Sequence, residues 1–218
     1  MPAQASHHVI AIDGPAASGK SSVARALSRR LKFVYVNSGA MYRAVTWVVL
    51  EQGIDPSDKN AIAKFIGGSR LDGKFIEGEF HLLINDADLT PHLYQDRVNA
   101  EVSRVSTVPD VRTLLVQRMR DYATKRDLVI EGRDIGSVVF PETPYKFYID
   151  ASPEIRAQRR SAQGLRDEIA QRDRADSSRA ASPLIVAKDA QVIDTSSLSI
   201  DQVVDEIVGR LRAKDLTI

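Results

Sequence analysis

Cysteine is absent from the 218 residues. That excludes disulfides, thiolate nucleophiles and thiolate metal sites, and it suits a reducing compartment. No apolar run approaches the roughly 20 residues of a membrane-spanning helix. An excess of one charge is missing too: 30 Lys and Arg face 29 Asp and Glu, for a net charge of +1. No overall field draws the chain onto nucleic acid or an anionic membrane, so any anion it handles is met by local clusters. Met1 to His8 have neither the basic flank nor the apolar core of a secretory signal. The expectation is a cytoplasmic protein with a mobile tail over residues 1–8. Apolar content of 43% and charged content of 27% are ordinary for a globular chain, and this length buries a substantial core.

What the chain does carry is a phosphate-binding loop pattern. Gly14-Pro15-Ala16-Ala17-Ser18-Gly19-Lys20-Ser21 matches G-x-x-x-x-G-K-S/T in full, and Ser22 follows. An ordinary glycine-rich turn could share the residues, but the setting argues otherwise. The apolar run Val9-Ile10-Ala11-Ile12 precedes the pattern and a helical one follows, the strand–loop–helix context the motif needs. Glycines let the backbone curl until several N–H groups face one phosphate chain at the positive end of a helix. Lys20 adds a cation for the β- and γ-phosphates, and the Ser21 hydroxyl a ligand for Mg²⁺. The pattern implies a nucleoside triphosphate site over Gly14 to Ser22.

Five short, non-alternating apolar runs read as buried parallel strands: Val9–Ile12, Phe33–Val36, Leu128–Ile130, Tyr145–Ile149 and Gln191–Ile193. Helical patterns alternate with them. Val23, Leu27 and Leu31 share one face of the first, and Val45, Val48 and Val49 mark the second. Ser152-Pro153-Glu154 opens another, and Ser199 with Gln202 forms a capping-box pair before Val203, Ile207 and Leu211. This order predicts a three-layer α/β fold with a five-stranded parallel sheet, whose ligands sit beyond the carboxyl ends of the strands. Leu71 to Ile84 breaks the alternation and reads as a β-hairpin with Gly78 near its turn, between helical stretches at about 57–68 and 95–125. The expected organisation is a core over about 9–55 and 96–218, an insert over about 56–95 and a short lid over about 156–172.

The carboxyl-end loops are distinctive. After the second strand comes Asn37-Ser38-Gly39-Ala40-Met41-Tyr42-Arg43, and after the third Glu131-Gly132-Arg133-Asp134. Arg156, Arg159 and Arg160 fall on one side of the next helix, and Arg172, Asp176 and Arg179 follow at near-helical spacing. One arginine on a helix is an ordinary solvated cation. The set, at strand ends beside a phosphate loop, points to a second phosphorylated ligand, since a guanidinium donates two parallel bonds and stays charged. The phosphate loop, the Asn37 to Arg43 loop, Ser103 with Val108-Pro109-Asp110-Val111-Arg112, Gly132-Arg133-Asp134 and the Arg172-Asp173 to Arg179 run are five motifs that in this order resemble the bacterial cytidylate kinases (CMP/dCMP kinases), over nearly the whole chain and including the hairpin insert.

The resemblance implies transfer of the γ-phosphoryl of ATP to CMP or dCMP, with Mg²⁺, in pyrimidine nucleotide metabolism. The charge balance, the lack of a membrane-length apolar run and the lack of a stretch that reads as a subunit interface predict a monomer that uses neither nucleic acid nor membrane. The resemblance also implies that Ser103, Arg112 and Asp134 read the cytosine edge and that Asp176 accepts from the ribose hydroxyls. Ser38, Arg43, Arg133, Arg172 and Arg179 would hold the CMP phosphate and sugar. The chemistry agrees: cytosine offers an amino donor and two acceptors, and uracil would leave buried readers unpaired. The acceptor oxygen is already an anion, so positioning and charge stabilisation suffice. Lys20, Arg156, Arg159 and Arg160 are the candidate cations at the transferring phosphoryl, with Asp13 holding a water on the metal.

Four positions depart from the family pattern. Asn37 stands where Asp is usual, Glu131 where Asp is frequent, and Tyr94 where relatives commonly carry Arg. Between Arg160 and Arg172 the chain has only Ser161 to Gln171, so the lid is expected to be shortened, with Gly164 as hinge and Arg166 replacing a lost lid arginine. A less complete closure predicts more ATP hydrolysis without CMP than in long-lid relatives. Trp47 reads as packing rather than a base platform, no histidine as a metal ligand, and Glu101–Arg104 as a surface ion pair. The rival readings are another P-loop kinase (for UMP, AMP or shikimate), a nucleotide-dependent switch, and an RNA-binding protein. The hairpin and the Ser103/Arg112/Asp134 trio oppose the first. No second Mg²⁺ carboxylate with a water-orienting residue supports the second, and the charge balance opposes the third.

Overall fold

The computed structural model describes residues 7–162 and 184–216. Arg172, Asp176 and Arg179 therefore lie outside the described residues, as do Gly164, Arg166, most of the expected lid and the tail up to Ser6. Along the chain run β1 (Val9–Asp13), α1 (Lys20–Leu31), β2 (Val34–Asn37), α2 (Ser38–Glu51) and α3 (Lys59–Gly67). Then come β3 (Leu71–Ile76), β4 (Glu79–Ile84), β5 (Ala87–Asp88), α4 (Asp96–Val105) and α5 (Pro109–Ala123). β6 (Leu128–Gly132), β7 (Tyr145–Asp150), α6 (Pro153–Ala162), β8 (Gln191–Asp194) and α7 (Ile200–Arg212) complete the order. The chain divides into two compact units, one running up to Tyr35 and again from Tyr122, the other Val36–Asp121.

In the first unit β1 is buried along its whole length. It pairs in parallel with β6, Asp13 opposite Gly132, and with β7, Asp13 opposite Tyr148; β8 extends the sheet in parallel beyond β7. The Val34 N–H donates to the Asp127 carbonyl at 2.9 Å, setting the start of β2 beside β6. All five expected strands form and the class is the expected α/β fold on a mostly parallel sheet. Among the described residues, however, the strands number eight and not five, because the insert supplies β3, β4 and β5, of which β3 and β4 pair antiparallel. One face of the sheet (Ile10, Ile12, Val129, Phe147, Ile149) packs under Val23 and Leu27 of α1 and under Val203, Ile207 and Leu211 of α7. Each such side chain removed from water contributes about 1.5–3 kcal/mol, which is why helices with these spacings settle there. The capping box at Ser199 forms: its Oγ accepts from the Gln202 N–H at 3.2 Å, and the Gln202 Oε1 accepts from the Ser199 N–H at 2.8 Å.

The second unit begins as the Asn37 side chain caps α2, accepting from the Ala40 N–H at 2.9 Å. The hairpin forms over the expected residues, with Leu71 opposite Ile84 and Ile76 opposite Glu79. Its turn uses positive φ at both Glu77 (50°) and Gly78 (80°), the backbone that matches the twist of the flanking strands. Phe80, Leu82 and Ile84 point inward, as their alternation requires. Two details differ from expectation. β5 adds a strand of two residues, too short for any period to show. The helical stretch at 95–125 is two helices, because Pro109 has no N–H to continue a helix and instead opens α5. Trp47 stacks on His92, 4.7 Å between ring centroids, a packing role within this unit.

Candidate active site

In the first unit the site grows from the carboxyl end of β1. Gly14 passes so close to the end of β7 that a Cβ there would overlap the Ile149 carbonyl oxygen, so the position admits only glycine. Ala17 and Gly19 take left-handed φ of 59° and 91°, curling the loop into the N-terminus of α1 at Lys20. Four cationic side chains then hold four loop carbonyls. An Arg133 terminal nitrogen donates to the Gly14 oxygen at 3.0 Å and Lys20 Nζ to Pro15 at 2.9 Å. Arg156 donates to the Ala16 oxygen at 3.3 Å and Arg159 to Ser18 at 3.1 Å. A trans peptide plane sets its C=O and the next N–H on opposite sides. Holding the carbonyls of Pro15, Ala16 and Ser18 therefore directs the N–H groups of Ala16, Ala17 and Gly19 the other way. Lys20 and Ser18 are buried, and Ser18 Oγ has no hydrogen-bond partner among the described residues. Ser21 is half-buried and Ser22 exposed on the first turn of α1.

Asp13 is 5% exposed, and its carboxylate accepts from the N–H groups of Ile135 and Gly136 at 2.8 and 2.7 Å. Burial pushes its pKa from the ordinary 3.8 up to about 6; the two N–H bonds and Arg133 pull the other way, and the neighbouring Asp134 adds to the rise. Those N–H groups open a single π-helical turn over Ile135–Val139, which fixes the chain just after Asp134. Asp134 itself is buried. Glu131 is buried on β6 across from Ile12 and accepts from the Tyr35 hydroxyl at 3.2 Å. Arg156 also donates to the Ala151 carbonyl at 3.2 Å, whereas Arg160 is half-buried on the same helix.

Arg159 differs from the expectation of a cation facing the transferring phosphoryl. One terminal nitrogen donates to Ser18 O and, at 3.0 Å, to Thr195 Oγ1; the other donates to Thr195 O at 2.7 Å. Thr195 lies just past β8, where no sequence motif marks it and only the rule that ligands sit at the carboxyl ends of the strands points to its position.

In the second unit Ser38 is buried on the first turn of α2 and Arg43 follows one turn later. Arg43 donates to the Gly39 carbonyl at 3.0 Å and to Asn99 Oδ1 at 3.4 Å, and its guanidinium lies 5.3 Å from the centroid of the Tyr94 ring. A Cβ on Gly39 would sit 3.0 Å from that guanidinium, a tight contact that a small shift of the arginine would relieve. Asn99 in turn donates to the Tyr94 carbonyl at 3.0 Å. Tyr94 is 59% exposed and so presents its ring both to Arg43 and outward. Arg112 on α5 is buried with its guanidinium 5.7 Å from the Tyr42 ring, and Ser103 is half-buried on α4. Asn99 and the Tyr94–Arg43 contact were not legible in the sequence, since they join residues 51 to 56 apart.

The sequence profile of the cytidylate kinase family matches residues 10–213. A cytidylate kinase from Pelotomaculum thermopropionicum is 42% identical over 216 residues, which cover 94% of this chain and 96% of that protein. One from Mycobacterium avium is 41% identical, with 94% and 96% covered. Among solved structures, an uncharacterized protein from Eubacterium ventriosum superposes with a TM-score of 0.52 at 13% identity, covering 95% of this chain and 99% of that one. Shikimate kinase from Acinetobacter baumannii reaches 0.50 at 14% identity, with 97% and 96% covered. These two likenesses concern the fold alone. With the phosphate loop in place and the profile spanning both units, the chain belongs to the cytidylate kinase family.

Proposed function

We propose that the protein transfers the γ-phosphoryl of ATP to CMP or dCMP, releasing ADP and CDP or dCDP. The carrying observation is the loop from Gly14 to Ser21, whose carbonyls are held by Arg133, Lys20, Arg156 and Arg159. Backbone N–H groups directed away from those carbonyls, at the positive end of α1, form a cradle for a polyphosphate. The Ser18 hydroxyl, without a partner among the described residues, can donate to a phosphate oxygen.

On this reading Lys20 exchanges its bond to the Pro15 carbonyl for the β- and γ-phosphates. Its charge then tracks the negative charge that spreads over the transferring group. No general base is required, because a CMP phosphate oxygen is anionic at neutral pH. Mg²⁺, when bound, would neutralise phosphate charge, and the hydroxyl of Ser21 and the carboxylate of Asp13 are the hard oxygen donors that would hold it, directly or through water. Arg156 and Arg160 add positive charge from α6.

For the acceptor the family resemblance supports the following roles: Ser38, Arg43, Arg133, Arg172 and Arg179 would hold its phosphate and sugar, Asp176 would accept from the ribose hydroxyls, and Ser103, Arg112 and Asp134 would read the cytosine edge. Arg43 is already oriented by Asn99 and Tyr94, so little rotamer freedom remains to be lost on binding. A coupled assay of ADP release with CMP, dCMP, UMP, AMP or no acceptor tests the reading. Turnover with CMP and dCMP far above the rest is expected. Turnover with another monophosphate alone would discard the base contacts, and equal ADP release without acceptor would discard the transfer.

A further inference from the structure

We infer that Arg159 and Thr195 are positioning residues for the ATP side of the site: together they clamp the Ser18 carbonyl so that the Gly19 N–H faces the nucleotide. Three groups from separate parts of the chain meet at this point. The Ser18 carbonyl accepts from Thr195 Oγ1 at 2.9 Å and from Arg159 at 3.1 Å, and Arg159 bonds Thr195 Oγ1 at 3.0 Å. Each corner of the triangle therefore holds the other two. Thr195 is 2% exposed and is fixed from behind, its N–H donating to the Asp150 carbonyl at 2.8 Å and its Oγ1 lying 2.9 Å from that same oxygen. A hydroxyl has one hydrogen, shared here between two carbonyls, and lone pairs to accept from the guanidinium. The Thr195–Ser18 bond is buried and counts for more than one on the surface, whereas those of Arg159 are partly buried.

The consequence passes through the peptide plane. Ser18 C=O and Gly19 N–H belong to one planar trans unit and point in opposite directions. Gly19 caps α1 with φ of 91°, and its carbonyl accepts the first helical bond, from the Val23 N–H at 3.0 Å. The guanidinium also lies against Gly19: a Cβ there would be 3.4 Å from Arg159. Thr195 and Arg159 thus set the aim of the N–H that opens the helix, from the side of the loop away from the ligand. Their own bonds run to protein oxygens, so neither is a catalytic residue. Their effect belongs to the donor nucleotide and not to the acceptor.

The inference rests on the nucleotide-binding reading of the loop, so direct titration of Mg·ATP into the wild-type protein comes first. No binding there would remove that reading itself. Thr195→Val keeps the shape and removes the hydroxyl. It should weaken Mg·ATP binding and raise KM for ATP about tenfold, the size of one lost buried hydrogen bond, while KM for CMP stays within about twofold. Thr195→Ser should restore the wild-type values. Arg159→Lys keeps the charge but not the fork, and should show the same ATP-selective loss. It provides the reading even if Thr195→Val fails to fold. ATP binding unchanged in Arg159→Lys, or both KM values rising together with loss of folded protein and no rescue by serine, would overturn the clamp.

Discussion

Asp13 carries two demands that oppose one another. Burial raises its folded-state pKa to about 6 from 3.8. The stability it contributes is therefore full below about pH 4 and lost as pH rises through about 6, a change on the order of 3 kcal/mol for a shift of this size. Its proposed role on the metal requires the ionised form. Phosphoryl transfer should then fall about tenfold per pH unit below pH 6, as an acid limb of the kcat/KM profile. A carboxyl carbon NMR titration of Asp13 with its midpoint near 4, or an acid limb starting near 4, would contradict this. Lys20 makes a second prediction at the same scale. Lys20→Ala should lower kcat by roughly 10³-fold or more, as removal of a preorganised transition-state charge does. Its melting temperature should stay near that of the wild type. Near-normal turnover would remove the assigned role.

The strand–loop–helix element is where local pattern and chemistry coincide, and it was legible. The Val9–Ile12 run, the glycine spacing and the Val23/Leu27/Leu31 stripe are all local in sequence, and they meet in one element. The capping box at Ser199 and the alternation in β4 are local in the same way. What lay beyond reading were the destinations of the arginines. Spacing puts Arg156 and Arg159 on one side of α6, but only the tertiary fold sets them against Ala16 and Ser18, some 140 residues away. The break before Pro109 is not legible in the pattern because apolar spacing continues on both sides of it. The loop's path makes its own prediction. Gly14→Ala places a methyl group against the backbone of Ile149, which has no side-chain freedom to yield. The cost should be about 3 kcal/mol or more, in line with severe overpacking, seen as a lower melting temperature together with lost ATP binding. A variant that binds ATP normally would show that the loop can move aside.

Across the whole molecule the assigned residues divide between the two compact units. The triphosphate loop, Asp13, Arg133, Asp134 and the α6 arginines lie in the first; Ser38, Arg43, Ser103 and Arg112 lie in the second. Five motifs in order were enough to place the family. The division itself was not legible, because the boundary at Tyr35–Val36 falls inside β2, where hydrophobicity is continuous. The contact between Tyr94 and Arg43 predicts a split in kinetics. Tyr94→Ala removes the ring beside Arg43, a contact worth about 0.5–1 kcal/mol at an exposed site, so KM for CMP should rise about two- to fivefold with KM for ATP unchanged. An equal rise in both constants would mean that Tyr94 acts on the fold and not on the acceptor.

The central claim is that the phosphoryl group goes to cytidylate and not to water. Incubating the protein with Mg²⁺, γ-³²P-labelled ATP and CMP, then separating the products, tests it most directly. Label recovered in CDP, dependent on CMP and abolished in Lys20→Ala, is the predicted result. Label recovered as inorganic phosphate at the same rate with or without CMP would contradict the account.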